Sequence, residues 1–279
     1  MAETPASAVN GPALVTGGSS GIGFAIAAEL AGKGHDLALI ARDAAKLEEA
    51  KRKLLARFPG RRIEIFAADV GDRAACEAAV EKATAALGAP AWAIANAGIA
   101  VPGEFLEQPI EEHEAQMRAN YMGSLYFAKA AAGKMAGRGG RLVFVSSGAA
   151  FFGIHGYSAY APSKFAVRGL AEVLRVELAP HGISVSVAYP PDTDTPQLVA
   201  EAKTKPAATK EITAGGGLWS AEAVAKKIVG AAERGRFVVA PGLQMAALNS
   251  LHSLIAPALR WWQGTIVHKH NKPGDAGKS

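Results

Sequence analysis

Tyr160 and Lys164 are the residues of this chain whose types and spacing suggest chemistry most directly. They stand four positions apart in a segment of helical periodicity, so their side chains lie on one face of a helix. A tyrosine has an ordinary pKa of about 10, and a nearby ammonium group lowers that pKa by stabilising the phenolate. Tyr160 would then donate a proton to a carbonyl oxygen during reduction, or accept one in reverse. Ser147, which follows an apolar strand, would hold the same oxygen.

A glycine-rich turn stands between the first predicted strand and the first predicted helix. Glycines let the backbone turn tightly and approach a pyrophosphate, and the next helix offers free N–H groups and the positive end of its dipole. Glycine-rich turns are common for steric reasons alone, but this strand–turn–helix setting is the one that nucleotide binding requires. The predicted dinucleotide-binding residues of the turn are Thr16, Gly17, Ser19, Ser20, Gly21, Ile22 and Gly23.

The end of the second predicted strand carries Arg42, and no carboxylate precedes it until Asp43 follows. An acidic residue ending this strand would bind the ribose 2′-hydroxyl of NADH and repel a 2′-phosphate. A guanidinium group instead binds phosphate well. A solvated arginine after a strand is the alternative interpretation, but beside the glycine turn the pattern favours NADPH.

The order of the predicted elements indicates how these residues are positioned. From about residue 12 to residue 240, short aliphatic runs alternate with longer segments of helical periodicity. A parallel sheet with helices on both faces satisfies this alternation, and right-handed connections make it doubly wound. The sequence therefore predicts an α/β protein with a single Rossmann-type doubly wound parallel sheet. Its ligand crevice would open beyond the carboxyl ends of the strands.

The predicted domain organisation follows from the same alternation. The NADP-binding catalytic domain spans residues 12–241, after a disordered lead-in of residues 1–11. Inside the domain, residues 197–219 contain several lysines and the triplet Gly215–Gly217, which predicts a mobile insertion near the substrate. Residues 242–279 predict an apolar helical extension with a basic tail.

Composition excludes several classes of protein. The chain has 279 residues, of which 49% are hydrophobic and 20% charged, as in ordinary globular proteins. The net charge of +5 is mild and forms no basic stripe, so no nucleic-acid partner is expected. The single cysteine, Cys76, excludes an internal disulfide and fits a reducing cytoplasm. The 7 histidines are scattered, so no metal site is expected either.

Together, these motifs resemble the short-chain dehydrogenase/reductase family. The turn has that family's spacing T-G-x-x-x-G-x-G, and Asn96-Ala97-Gly98 is similar to its N-A-G motif. Ser147, Tyr160 and Lys164 have the spacing of its catalytic set. Pro162 departs from the small residue of many relatives, but proline is tolerated in the first turn of a helix. The resemblance covers most of the predicted domain.

The resemblance also implies roles for further residues. Asn120 would bend its long helix and hold a water linked to Lys164, which would bind the nicotinamide ribose. Asp69 would contact adenine, although from the sequence alone it is equally a helix N-cap. The loop that starts at Pro190 would close over the nicotinamide. Beyond the glycine turn, the expected cofactor-binding residues are Arg42, Asp69, Val70, Asn96, Ala97, Gly98, Tyr160, Lys164, Pro190, Thr193 and Thr195.

Two longer strings narrow the resemblance to the 3-ketodihydrosphingosine reductases. They are Pro190–Pro196 (P-P-D-T-D-T-P) and Lys164–Glu172 (K-F-A-V-R-G-L-A-E). This resemblance implies reduction of the 3-keto group of a long-chain sphingoid base with NADPH. Two alternatives stay open: reduction or oxidation of another substrate (a 3-oxoacyl thioester, hydroxysteroid or xenobiotic ketone), and a non-catalytic NADPH-binding sensor or scaffold. Candidates for the substrate mouth are Phe151, Phe152, His155 and Tyr157.

The C-terminal extension bears on location and assembly. Gly242–His268 is apolar, with Trp261 and Trp262 beside Arg260, which suits peripheral contact with a membrane surface. Packing of this helix on the core or on a partner subunit is the equal alternative. No apolar stretch reaches the ~18–20 residues of a membrane span, so we expect a cytoplasmic protein. The resemblance implies a homodimer or homotetramer formed through two long helices, Ile110–Ala136 and Ser158–Ala179.

Overall fold

Seven parallel strands form the central sheet. The computed structural model describes residues 10–214 and 217–270. The strands are β1 Ala13–Thr16, β2 Leu37–Ala41, β3 Ile63–Ala67, β4 Trp92–Ala95, β5 Gly140–Val145, β6 Ile183–Ala188, β7 Thr193–Asp194, β8 Trp219–Ser220 and β9 Val238–Val239. The order in the central sheet is β3–β2–β1–β4–β5–β6–β9. The central strands are aliphatic at almost every position because both faces of the sheet are covered.

Helices cover both faces of the sheet, which confirms the predicted doubly wound architecture. They are α1 Gly21–Gly32, α2 Ala44–Arg57, α3 Arg73–Leu87, α4 Ile110–Met117, α5 Gly123–Met135, α6 Tyr160–Glu177, α7 Pro196–Thr204, α8 Ala207–Thr213, α9 Ala221–Glu233 and α10 Gly242–His270. Residues of α1, α2 and α9 form the core on one face. Residues of α3, α5, α6 and α10 form the core on the other.

The first long helix has a π-helical turn in its middle. The sequence predicts one helix over Ile110–Ala136, but α4 and α5 are joined by the wider turn Arg118–Met122. Asn120 lies in this turn and is fully buried. π-Turns inside α-helices often occur at functional sites and are one recognised cause of a helix bend. The bend that the family resemblance implies at Asn120 stays a prediction.

Two further helices differ from their predicted form. α6 begins at Tyr160 and not at Ser158, so Pro162 stands in its first turn, where a proline N–H is not needed. α10 runs without interruption through Pro257 and ends at His270, two residues beyond the predicted Gly242–His268. Contacts of α10 with the core, through Met245 and Leu248, hold its first half in place.

The segment after β6 is more regular than its composition suggests. Residues 197–219 contain most of α7, all of α8 and the start of β8. β7 and β8 pair in parallel, with Thr193 opposite Trp219. The mobility that the sequence predicts for this segment stays a prediction. The first nine residues of the predicted lead-in, residues 215 and 216 of the glycine triplet, and residues 271–279 lie outside the described part of the chain.

Candidate active site

A cleft of about 630 Å³ opens at the carboxyl ends of the central strands. The predicted site residues that line it are Gly17, Ser19, Ser20, Gly21, Ile22, Arg42, Asp69, Val70, Asn96, Ala97, Gly98, Ser147, Tyr160, Lys164, Pro190, Thr193 and Thr195. The other three, Thr16, Gly23 and Asn120, are buried behind its wall. The structure therefore brings all the predicted site residues to one place.

The glycine turn needs its glycines for conformation and for space. Gly17 has φ +66°, in the left-handed region that favours glycine. A Cβ on Gly23 would overlap the Gly17 carbonyl oxygen, so α1 packs directly against the turn. This close approach presents the N-terminus of α1 to the cleft, where an anion would meet free N–H groups.

The Thr16 hydroxyl connects the glycine turn to the loop after β4. It donates to the Ile94 carbonyl at 3.1 Å and accepts from the backbone N–H groups of Asn96 at 2.9 Å and Ala97 at 3.1 Å. The Asn96 amide in turn donates to the Thr16 carbonyl at 3.1 Å. Thr16 does not line the cleft itself, but its hydrogen bonds hold the glycine turn against the loop after β4.

Two cations line the cleft at the end of β2. One is Arg42, and the other is Lys46, which the sequence interpretation missed although it stands four residues later. Asp43 also lines the cleft; one oxygen of its carboxylate caps α2 by accepting from the Lys46 backbone N–H at 3.0 Å, and the other lies 3.7 Å from the Lys46 ammonium. Lys46 is therefore partly neutralised, and no ion pair between Asp43 and Arg42 is seen among the described residues. The hydrogen bond from the Lys46 backbone N–H holds the pKa of Asp43 below its usual range. The glycine turn and this cationic corner fit a dinucleotide that carries a 2′-phosphate.

Asp69 is not the N-cap of the following helix. Asp72 has that role, since its carboxylate accepts from the Ala75 backbone N–H at 3.0 Å. The Asp69 carboxylate accepts from the Gly71 backbone N–H at 2.8 Å and lines the cleft beside Val70. The N-cap interpretation is therefore wrong, and the position of Asp69 is compatible with an adenine contact.

Ser147 and its neighbour Ser146 have different surroundings. Ser146 is buried and donates to the Lys164 carbonyl at 3.0 Å, so it fixes the backbone of α6. The Ser147 hydroxyl lines the cleft and hydrogen-bonds the Tyr160 phenol. Of the two serines, only Ser147 is placed to share a ligand oxygen with Tyr160.

Lys164 lies next to Tyr160, as the helical spacing predicts. Its Nζ is 5.6 Å from the centre of the Tyr160 ring and donates to the Val145 carbonyl at 3.2 Å. Both side chains are almost fully buried. A phenol, a hydroxyl and an ammonium group in one cleft wall can transfer a proton to a ligand oxygen and stabilise the charge that results.

Burial dominates the ionisation of this pair. Burial raises the pKa of Tyr160, and the negative charge of Glu201 raises it further, while the hydrogen bond from Ser147 acts in the opposite direction. Burial lowers the pKa of Lys164 to about 8. The expected lowering of the Tyr160 pKa by Lys164 is therefore not observed in the protein alone. Tyr160 holds its proton at neutral pH, which is the state a proton donor needs.

Asn120 anchors the segments on either side of Tyr160. Its side chain accepts from the Ile99 backbone N–H at 2.8 Å and donates to the Ile99 carbonyl at 3.0 Å. It also donates to the Ser163 hydroxyl at 2.9 Å, which donates to the Tyr160 carbonyl at 2.6 Å. Ser163 was not predicted, because nothing in its spacing distinguishes it from an ordinary helix residue.

The loop after β6 packs against the glycine turn. Thr195 caps α7 by accepting from the Leu198 backbone N–H at 3.3 Å. Its side chain lies so close to Gly21 that a Cβ there would be 3.1 Å from the Thr195 methyl group. Thr193 donates to the Pro191 carbonyl at 2.8 Å. The loop thus forms a wall of the cleft, beside the turn that would hold the cofactor.

Of the four candidates for the substrate mouth, Phe152 and Tyr157 line the cleft. Phe151 instead packs on Tyr189, with ring centres 4.4 Å apart, and His155 faces Glu104. The lining residues that sequence reasoning missed include Asp192, Glu201, Ile212, Gln244, Met245, Leu248, Leu259 and Trp262. Most belong to α7, α8 and α10, whose return to the sheet edge has no local sequence signal.

Comparison with known proteins gives concordant matches. The short chain dehydrogenase family matches residues 12–206. The 3-dehydrosphinganine reductase of Danio rerio is 40% identical over 255 residues, covering 90% of this chain and 77% of the relative. The 3-ketodihydrosphingosine reductase of Mus musculus is 39% identical, and the match again covers 90% of this chain and 77% of the relative. The 3-ketodihydrosphingosine reductase of Dictyostelium discoideum is 37% identical, and the match covers 88% of this chain and 83% of the relative.

Solved structures with a similar fold include two in complex with a nicotinamide cofactor. A short-chain dehydrogenase from Sphingobium yanoikuyae in complex with NADPH is 28% identical, with a TM-score of 0.75, and the match covers 90% of this chain and 95% of that one. A short chain dehydrogenase from Burkholderia cenocepacia in complex with NADP is 29% identical, with a TM-score of 0.72, over 82% of this chain and 95% of that one.

The buried ammonium of Lys164 predicts a pH-dependent stability. The pKa is about 8 in the folded protein and 10.5 ordinarily. Between these values the unfolded chain binds more protons, so the free energy of unfolding rises with pH. Lys164→Met removes a burial cost that is fully present below pH 8. We expect it to raise the free energy of unfolding by about 1–3 kcal/mol at pH 7. The gain should shrink towards pH 10.5.

The measurement is thermal and urea unfolding of both proteins from pH 6.5 to pH 10. The exposed Lys129, on α5, provides the control, since Lys129→Met removes the same charge without a burial cost. A stability difference for Lys164→Met that is independent of pH would contradict the lowered pKa of Lys164 in the folded protein.

Proposed function

Because this chain belongs to the short-chain dehydrogenase family, as its motifs predict, we propose that it reduces 3-ketodihydrosphingosine to dihydrosphingosine with NADPH. It is an oxidoreductase of the C=O/CH–OH type. The observation that carries the proposal is the convergence of Ser147, Tyr160 and Lys164 in the wall of one cleft. Relatives that share 37–40% of its sequence over most of both chains carry the name of this reductase.

In the proposed mechanism Tyr160 donates the proton that converts the ketone oxygen to a hydroxyl. Ser147 hydrogen-bonds the same oxygen and fixes its position beside the phenol. Lys164 stabilises the phenolate left after proton transfer, since the ammonium group lies beside the ring. Asn120 is a positioning residue that acts through Ser163 and Ile99. When bound, NADPH supplies the hydride that reaches the carbonyl carbon.

The residues that we propose to hold NADPH divide by the part of the cofactor they would meet. The turn residues Gly17–Ile22 would meet the pyrophosphate, and Arg42 the 2′-phosphate. Asp69 would meet adenine. We propose that the nicotinamide end is held by Asn96, Ala97, Gly98, Tyr160, Lys164, Pro190, Thr193 and Thr195, with Val70 near adenine and Thr16 and Gly23 supporting the turn.

The cleft wall beyond Tyr160 supports a lipid-like substrate. Its apolar lining residues are Phe152, Ile154, Ile212, Met245, Leu248, Leu259 and Trp262. An alkyl chain gains about 0.8 kcal/mol for each methylene that it buries against such a wall. The same cleft holds the residues assigned to NADPH, so the alkyl chain would occupy the apolar part that the cofactor leaves free.

The decisive experiment follows NADPH oxidation by absorbance, with 3-ketodihydrosphingosine in detergent. We expect turnover that depends on the lipid, and a loss of at least about 100-fold in Tyr160→Phe because the proton donor is gone. NADPH binding, measured by fluorescence titration, should stay nearly unchanged in this variant.

Each alternative function has its own outcome in that experiment. Wild-type turnover of 3-oxoacyl thioesters, hydroxysteroids or xenobiotic ketones, without turnover of the lipid, would assign a different substrate class to the same type of reaction. NADPH binding without turnover of any carbonyl would indicate a sensor or scaffold. Full activity in Tyr160→Phe would remove the proton-donor role.

Arg42→Asp tests the 2′-phosphate site. The guanidinium would lose its charged hydrogen bonds to the phosphate, and the new carboxylate would repel it. We expect the preference for NADPH over NADH, measured as the ratio of kcat/KM values, to fall by about 10- to 100-fold or more. Arg52→Asp, at an exposed position of α2, makes the same change of charge away from the cleft. An unchanged cofactor ratio in Arg42→Asp would exclude Arg42 from the phosphate site.

We also propose that α10 contacts a membrane surface from which the substrate enters. No helix in the described part of the chain is long and apolar enough to cross a membrane. α10 nevertheless lines the cleft with Met245 and Trp262 while it exposes Leu243, Leu254 and Trp261. Exposed leucine and tryptophan beside basic residues suit a membrane interface.

Replacing Leu254 and Trp261 together by serine should weaken binding to phosphatidylcholine–phosphatidylserine vesicles by about 10-fold or more, because each apolar side chain contributes over 1 kcal/mol when buried. Co-sedimentation with vesicles measures the change. Leu106→Ser, at an exposed apolar position of the loop before α4, is the control. Equal binding by wild type and the double variant would place the lipid contact elsewhere.

Two further predictions concern the oligomeric state of the protein and its location in the cell. A homodimer or homotetramer would pair α4–α5 and α6 with their copies. Exposed apolar residues on these helices support such an interface, namely Ile110, Val173 and Val176. The oligomeric state and a cytoplasmic location stay predictions.

A further inference from the structure

Glu201 is a carboxylate in the wall of the cleft, close to Tyr160. It stands on α7, and its side chain is only 11% exposed. The Tyr157 hydroxyl donates to its Oε2 at 3.0 Å, and the Tyr157 ring is 5.4 Å from the Tyr160 ring, centre to centre. One aromatic side chain therefore separates this carboxylate from the proposed proton donor. Neither Glu201 nor Tyr157 has a part in the mechanism above.

The partners that Glu201 has inside the protein neutralise it incompletely. Gln197 donates to its Oε1 at 3.3 Å, and the Lys205 Nζ lies 3.9 Å from its Oε2, beyond hydrogen-bond distance. Lys205 also interacts with Asp192, a half-buried carboxylate of the cleft wall, and the positive charge of Lys205 lowers the pKa of Asp192. Burial raises the pKa values of both acids. Lys205 is thus shared by two carboxylates, and Glu201 has only a further electrostatic interaction with Lys164, so a ligand cation would improve the charge balance.

Lys164 does not complete the neutralisation of Glu201. Its Nζ donates to the Val145 carbonyl, and burial lowers its pKa. The cations Arg42 and Lys46 line the cleft at the end of β2, beside the glycine turn, where a phosphate is expected. The cleft therefore carries charges of opposite sign in two places. Cations lie where the cofactor phosphate would bind, and carboxylates lie near Tyr160.

We propose that Glu201 determines substrate specificity by binding the ammonium group of a 2-amino-3-ketone. This inference rests on the proposed function and deepens it. In such a substrate the amine stands on the carbon next to the carbonyl. A ketone oxygen held by Tyr160 and Ser147 therefore places the amine in the same part of the cleft as the Glu201 carboxylate. Tyr157 orients that carboxylate through its hydrogen bond.

The test compares Glu201→Gln with wild type on two ketones. One is 3-ketodihydrosphingosine, and the other has the same chain and 1-hydroxyl group but hydrogen in place of the amine. Glutamine keeps the shape and can still accept from Tyr157, so only the charge is lost. We expect KM for the amino ketone to rise about 10- to 100-fold, the usual effect of losing a hydrogen bond between charged groups. KM for the amine-free ketone should change less than about two-fold.

Glu177→Gln is the matched control, because it removes a carboxylate from an exposed position of α6. Thermal unfolding and NADPH titration establish that each variant is folded. Should Glu201→Gln not fold, wild type alone decides: a long-chain alkylamine should inhibit competitively against the amino ketone at a concentration at least about 10-fold lower than the alcohol of the same length.

The outcomes separate this inference from the proposed function. Wild-type turnover of the amino ketone, with equal losses on both ketones in Glu201→Gln, would give Glu201 a structural role and overturn the inference. Unchanged KM values in the variant, or equal inhibition by amine and alcohol, would overturn it too. Absence of wild-type turnover of the amino ketone would instead defeat the proposed function.

Discussion

A continuous path of buried hydrogen bonds joins the glycine turn to Tyr160, and the geometry of the cleft depends on it. Thr16 binds the loop after β4, Asn120 binds that loop at Ile99, and Ser163 connects Asn120 to the backbone of Tyr160. A buried polar group that loses its partner costs about 1–3 kcal/mol, so each member of the path holds the next in place. The glycine turn and Tyr160, which belong to different segments, are thereby fixed relative to each other.

The π-turn makes this path possible. An unbroken α-helix from Ile110 to Met135 would hold its backbone groups in the regular ladder and direct each side chain by the ordinary period. The wider turn at Arg118–Met122 interrupts that ladder where Asn120 enters the core. The Asn120 amide then satisfies both backbone groups of Ile99. The local irregularity is thus compensated by hydrogen bonds between segments that are distant in sequence.

The sequence predicts the parts of the site that depend on local patterns. Strand and helix periods are local, so the sheet could be predicted, and the spacing of Ser147, Tyr160 and Lys164 follows from one strand and one helix turn. The contact between Tyr157 and Glu201 joins residues 44 positions apart and has no local signal. The pKa of Tyr160 was misjudged for a related reason, because burial by the whole fold outweighs the neighbour that the helical spacing provides.

The C-terminal helix shows how one distant element completes the cleft. The Gln263 amide of α10 donates to the Gly153 carbonyl at 3.0 Å and accepts from the His155 backbone N–H at 3.1 Å, so α10 is attached to the loop between Ser147 and Tyr160. At its other end, Met245 lies against Gly148 so closely that a Cβ there would be 3.1 Å from the sulfur.

These two attachments hold apolar side chains of α10 over the cleft, next to the polar wall formed by α7. A long-chain base has one polar end and one apolar chain, and the two walls match that division. The same helix carries leucine and tryptophan on its exposed side, so α10 presents apolar side chains both to the cleft and to the protein exterior.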